Sequence, residues 1–123
     1  MGSESIRTTR IGTGVWIVSL VGEHDLSTAP LVERDLEAMS RSGTGIVLDL
    51  SETTFIDSSM LRVILDRRSE RFALVMPAGG AVARLLALVG LDGTIETYRS
   101  RFVACRAVAP EHRMLTSAPQ AGG

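Results

Sequence analysis

The chain has 123 residues, the size of one compact domain, and 45% of them are hydrophobic but only 4% aromatic, so its core is aliphatic. Thirteen Lys and Arg against 14 Asp and Glu leave a formal net charge of −1, which disfavours a protein that grips nucleic acid through phosphates. The single cysteine, Cys105, excludes an internal disulfide or a multi-thiolate metal site, and His24 and His112 stand far apart, without metal-ligand spacing.

The N-terminal stretch "MGSESIRTTRIG" has no signal-peptide apolar run, and no segment approaches the ~18–20 apolar residues of a membrane span. The expectation is a cytoplasmic protein without metal or cofactor. Arg67, Arg68 and Arg71 form a short basic cluster, but Asp66 and Glu70 are interleaved with them, so they read as a solvated helix face.

"SIRTTRI" and the β-branched, aromatic "VWIVSLVG" (15–22) flank "GTG" and predict an N-terminal β-hairpin. "STAPLVERDLEAMSRSG" follows. Ser27 or Thr28 can cap, Pro30 suits a first turn, Val32, Leu36 and Met39 recur at helical spacing, and Gly43 ends the run. The spacing predicts a helix from about Thr28 to Arg41.

"GIVLDLS" (45–51) is apolar with little alternation, as in a parallel strand covered on both faces. "SSMLRVILDRRSE" switches to helical period, with Leu61, Ile64 and Leu65 on one side. "RFALVMP" (71–77) predicts another covered strand, and "GGAVARLLALVG" (79–90) a helix closed by Gly90. "IETYR" is a weak strand. "SRFVACRAVAP" predicts a last short helix stopped by Pro110, with Cys105 as a buried thiol beside Phe102 and Val103. Residues 1–110 then form a single domain and 111–123 a flexible tail. The order ββαβαβα(β)α implies an α/β sandwich around a mainly parallel central sheet, with helices after the strands.

Between strand and helix stands "IDSSM". Asp57, Ser58 and Ser59 admit three readings: a helix cap, a catalytic nucleophile, or a serine kept available for modification. One cap needs one side chain. If Asp57 caps, the hydroxyls of Ser58 and Ser59 lie in the first turn, where a phosphoryl group would face unsatisfied N–H groups and the positive end of the helix dipole. A nucleophile elbow would need Gly-x-Ser-x-Gly, absent here, and His24 would have to serve as base with Asp25 merely adjacent in sequence. "PAGGA" (77–81) lacks the Lys-Ser/Thr of a phosphate-binding loop and reads as a turn and cap.

Three stretches, "LVGEHDLSTAP" (20–30), "IVLDLSETTFIDSSMLRVIL" (46–65) and "AVARLLALVGLDGTIETY" (81–98), resemble in order and spacing the STAS domain, above all its free-standing bacterial anti-sigma factor antagonists. The resemblance covers about residues 5 to 108. It implies a STAS-type sandwich and a partner switch rather than an enzyme. The unphosphorylated antagonist binds an anti-sigma factor with a histidine-kinase-like ATPase fold and so frees a sigma factor. That partner, supplying ATP and Mg, phosphorylates the serine after the Asp, and a serine phosphatase reverses the step. By position the serine is Ser58. Asp57 would orient it or accept its proton, Asp25 would lie on the same docking side with Glu23, and Ser59 and Met60 complete the expected partner-binding set.

The resemblance also leaves a second possibility, a STAS scaffold or an accessory subunit of a lipid-transport ATPase without the switch. Two residues depart from the family pattern. Met60 stands where the family has Gly, and is expected to place a flexible apolar side chain near the docking surface. His24 stands where the family prefers an apolar residue, and reads as a partly exposed histidine without special role. The last helix matches poorly.

Overall fold

The computed structural model describes residues 4–109, apart from Thr13, Ser69 and Asp92. The chain opens with an antiparallel hairpin, β1 (Ser5–Ile11) against β2 (Val15–His24), in register from Ser5↔Val21 to Ile11↔Val15. β2 runs two residues beyond the expected end, to His24. α1 (Ala29–Arg41) buries Ala29, Val32, Leu36 and Met39, and Gly43 turns the chain out of it at φ +79°.

β3 (Gly45–Asp49) is buried at every position and lies parallel between β2 and β5 (Phe72–Val75). β6 (Thr97–Tyr98) adds a parallel edge to β5, giving the order β1-β2-β3-β5-β6. A sixth strand, β4 (Thr53–Ile56), pairs in parallel with the far end of β2 through Gly22↔Thr53, Glu23↔Phe55 and His24↔Ile56. Among the described residues only the hairpin pair is antiparallel, so the expected α/β sandwich on a mainly parallel sheet is what the chain adopts.

Strand alternation divides the core in two. Val18, Leu20, Ile46, Leu48, Phe72 and Leu74 face α1, α2 (Ser58–Asp66) and α3 (Ala81–Leu88), which supply Val32, Leu36, Met60, Ile64, Val82 and Leu86. Ile17, Val47, Ala73 and Val75 face the other way, onto Ala104 and Val108 of α4 (Arg101–Val108). α4 lies so close to β3 that a Cβ on Gly45 would sit 2.2 Å from the Val108 carbonyl oxygen.

Several expectations need correction. β4 is not anticipated by the sequence reading, because two threonines and a non-alternating burial pattern disguise a four-residue strand whose central residues, Thr54 and Phe55, are both exposed. On α2 the fully inward residues are Met60, Val63 and Ile64, with Leu61 and Leu65 partly buried at the margin. Ser27 and Thr28 do not cap α1 through their side chains: the Ser27 hydroxyl bonds Asp25 Oδ1, and the Thr28 hydroxyl pairs with His24.

The basic cluster is not simply solvated. Arg67, its side chain 12% exposed, pairs with Glu37 and Glu70, and Arg71 donates to the carbonyls of Val108 and Gly43. Cys105 is half-buried rather than buried, since its neighbours Phe102 and Val103 point outward, 69% and 47% exposed. Burial still pushes its thiol above the usual range, only partly offset by Arg101. The expected tail, 111–123, and the helix stop at Pro110 lie outside the described residues.

Candidate functional site

The parallel pairing of β2 with β4 lays two strand ends side by side, so the turn entering α1 and the first turn of α2 emerge together. In open α/β sheets this carboxyl end of the strands is where ligands and partners are met. Asp57 stands at the junction in extended conformation, φ −105° and ψ −174°, and caps α2 by accepting the Met60 N–H at Oδ1, 3.1 Å. Its Oδ2 accepts the Leu26 N–H, also at 3.1 Å. One carboxylate thus binds both segments.

Ser58 is the first residue of α2 and is exposed, and its hydroxyl makes no hydrogen bond with the described residues. Ser59 is half-buried and borders a groove of about 350 Å3 between α1 and α2, which Leu26, Pro30, Glu33 and Arg62 also line. Asp25 is exposed in the adjoining turn, where its Oδ1 accepts both the N–H and the hydroxyl of Ser27, at 2.9 and 2.6 Å. Those two bonds, the hydroxyl foremost, hold its carboxyl below the ordinary range. Glu23 is exposed and stands in register with Phe55, itself 50% exposed.

Of the residues expected to meet a partner, Asp25, Asp57, Ser58 and Ser59 therefore come together, with Glu23 on the adjoining strand. Met60 does not present its side chain there. It is 0% exposed and packs in the core, because the spacing 60, 63, 64 sets it on the inward stripe of α2. The sequence reading passes over Leu26 and Phe55. Leu26 contributes its backbone N–H to Asp57 and leaves its side chain 69% exposed; an apolar residue inside a polar turn is the signal that could have found it.

His24 also needs correction. It is 0% exposed, and both ring nitrogens are engaged: Nε2 lies 3.0 Å from the Val21 carbonyl and Nδ1 3.1 Å from the Thr28 hydroxyl.

A nucleophile reading finds no support in this geometry. His24 spends both nitrogens on Val21 and Thr28, and the Ser58 hydroxyl has no base bonded to it. Among the described residues there is no group of three or more His, Cys, Asp or Glu that could hold a metal ion, and no helix long and apolar enough to cross a membrane.

Comparison with known proteins follows the same lines. Residues 8–99 match the family model described as "Mlab, STAS domain". The anti-sigma-F factor antagonist RsfB of Mycobacterium tuberculosis is 34% identical over 91 residues, spanning 69% of this chain and 74% of that protein. The crystal structure of an anti-sigma factor antagonist from Mycobacterium paratuberculosis superposes with a TM-score of 0.71 at 31% identity, covering 85% of this chain and 94% of the other. SpoIIAA, a Bacillus cell fate determinant solved in its phosphorylated form, matches with a TM-score of 0.63 over 81% of this chain and 96% of its own. At 17% identity that last likeness is one of fold alone.

Proposed function

Because the chain belongs to the STAS domain family, among its anti-sigma factor antagonists, we propose that it works as a partner switch controlled by phosphorylation of Ser58. In this reading it is a cytoplasmic regulator, not an enzyme. Unphosphorylated, it binds an anti-sigma factor with a histidine-kinase-like ATPase fold and releases a sigma factor. That partner, carrying ATP and Mg, transfers a phosphoryl group to Ser58, and a serine phosphatase removes it.

The observation that carries the reading is the placement of Ser58: exposed, unengaged, and next to a carboxylate clamped between two backbone amides. A clamped carboxylate suits orientation of the neighbouring hydroxyl within the docked complex. Glu23, Asp25 and Asp57 give this face a negative character that complements a basic partner surface, and Leu26 and Phe55 supply apolar contact.

Magnitudes favour a switch in binding over a switch in folding. A phosphoryl group on the first turn of a helix changes folding by about 1 kcal/mol, and in the favourable direction. About −1.5 to −2 charges placed in a packed interface beside Asp57 cost several kcal/mol in association, about a hundredfold or more in affinity.

A second reading, a STAS scaffold or accessory subunit without the switch, draws on the description of the matching family model. One experiment separates them: intact mass with site mapping on protein isolated from its native cells, during growth and under stress. One phosphate on Ser58 supports the switch. Its absence under every condition, together with a stable assembly, supports the scaffold.

A further inference from the structure

Among the described residues near Ser58, His24 is the buried titratable group to which the proposed switch assigns no task, and its contacts lead to the switch. Nε2 faces the Val21 carbonyl, which can only accept, so Nε2 donates there; Nδ1 lies 3.1 Å from the Thr28 hydroxyl, which itself also reaches the Asp25 carbonyl, at 3.4 Å. Thr28 is the last residue of a tight turn in which the N–H groups of Thr28 and Ala29 both donate to the Asp25 carbonyl, at 3.0 and 2.9 Å. Within that turn lies Leu26, whose N–H reaches Asp57 Oδ2.

We infer that His24 is a positioning residue for the switch: it fixes the Thr28 hydroxyl, and with it the turn that presents the Leu26 N–H to the carboxylate beside Ser58. The inference rests on the reading of Ser58 as the switch, but its physical content lies in the free protein.

The alternatives are less consistent with the contacts. A ring kept only to fill space needs no polar neighbours, and burying one costs free energy unless each nitrogen is satisfied. Here both are satisfied, and by two different parts of the same loop-back: the strand at Val21 and the helix entry at Thr28. The Thr28 hydroxyl, shared between the His24 ring and the Asp25 carbonyl, is withdrawn from the capping role its position would allow, and α1 has no side-chain cap. A bond worth about as much as a cap is used to fix a turn instead.

The test uses the full chain with His24→Leu, Thr28→Val and the double substitution, each checked for folding by circular dichroism. Amide NMR then reads Leu26 and Met60 while the Asp57 carboxyl is titrated. In the wild type both amides follow the titration, since each donates to that carboxylate. In both single variants the Leu26 response is expected to fall by about half or more and its hydrogen exchange to quicken about tenfold, while Met60 is unchanged. The double variant should add little to either single one.

A Leu26 amide that follows Asp57 with full amplitude and unchanged exchange in Thr28→Val overturns the inference, even if His24→Leu fails to fold. Additive effects of the two substitutions overturn it as well. Neither result bears on whether Ser58 is phosphorylated, which mass mapping reads separately.

Discussion

Arg101, the first residue of α4, donates through Nε to the buried carboxylate of Asp49 on the central strand, and through Nη2 to the Ser19 hydroxyl on the next strand. Ser19 and Asp49 are register partners, so one guanidinium spans β2 and β3 on the face opposite α1 to α3. Burial works against the charge on Asp49, but hydrogen bonds from Ser51 and Arg101 outweigh it, and the carboxyl is held below its usual range.

A pH prediction follows from that sign. A carboxyl lowered on folding adds stability above the unfolded value of about 3.9, and loses it as the pH falls through the folded value. Arg101→Gln removes the guanidinium charge while burial and the Ser51 hydrogen bonds remain, so the Asp49 carboxyl should rise toward its usual range. Stability at pH 7 should fall by about 2 kcal/mol, and the acid limb of the stability curve should move to higher pH. Urea unfolding between pH 3 and 8 measures both.

Met60→Gly would place here the residue that the STAS resemblance leads one to expect. Since the Met60 side chain is fully buried, its loss opens a cavity, and glycine costs about 1 kcal/mol more within a helix. The expected destabilisation is about 3–5 kcal/mol, seen in denaturant melts. Partner affinity measured on the folded fraction should be unchanged; a large gain would mean that a glycine backbone, not the core, is what this position offers a partner.

Asp57→Ala removes both the α2 cap and the bond to Leu26. The cap alone is worth about 1 kcal/mol, so the melting temperature should drop by several degrees. Asp57→Asn keeps one acceptor oxygen and should retain part of the stability. Phosphorylation by the cognate kinase should slow in both, because Ser58 then lacks an oriented carboxylate.

Ser58→Ala should hold the anti-sigma partner constitutively and Ser58→Asp should bind it at least tenfold more weakly, with both variants folded. Equal affinities, read by calorimetry, would remove Ser58 from the switch.

Phosphorylated Ser58 should also gain an intramolecular partner. Arg62, exposed one turn along α2, makes no ion pair with the described residues and lies at the spacing that brings side chains together on a helix. Arg62→Ala should cancel about 0.3–0.5 kcal/mol of the stability that phosphorylation adds, and should leave the unphosphorylated protein nearly unchanged. Thermal melts of the four species give the cycle.

Much of this architecture was legible because the period of apolar residues changes cleanly from strand to helix. Gly43 and Gly90, read as the ends of their helices, both follow them at positive φ, and "GIVLD" is buried throughout, as its lack of alternation implied. The Asp57 cap was among the readings open from sequence, and the structure supplies it.

What escaped were relationships set by tertiary pairing. β4 became a strand because β2 extends far enough to receive it, and no local pattern in "TTFI" announces that. His24 is buried with its ring nitrogens against Val21 and Thr28, and Met60 is inward because positions 60, 63 and 64 share the buried stripe of α2. The bond between Leu26 and Asp57 joins residues 31 apart in sequence, and a backbone donor leaves no mark in the side-chain pattern.

That long-range bond has a consequence for when the molecule becomes visible to its partner. The serine is present in the chain from the moment of synthesis, but the surface around it is assembled only when β2 and β4 have paired. A nascent or misfolded copy displays the letters of the motif without its geometry. A kinase that reads the assembled face would therefore ignore unfinished copies, and the cell would count as antagonist only chains that have completed folding.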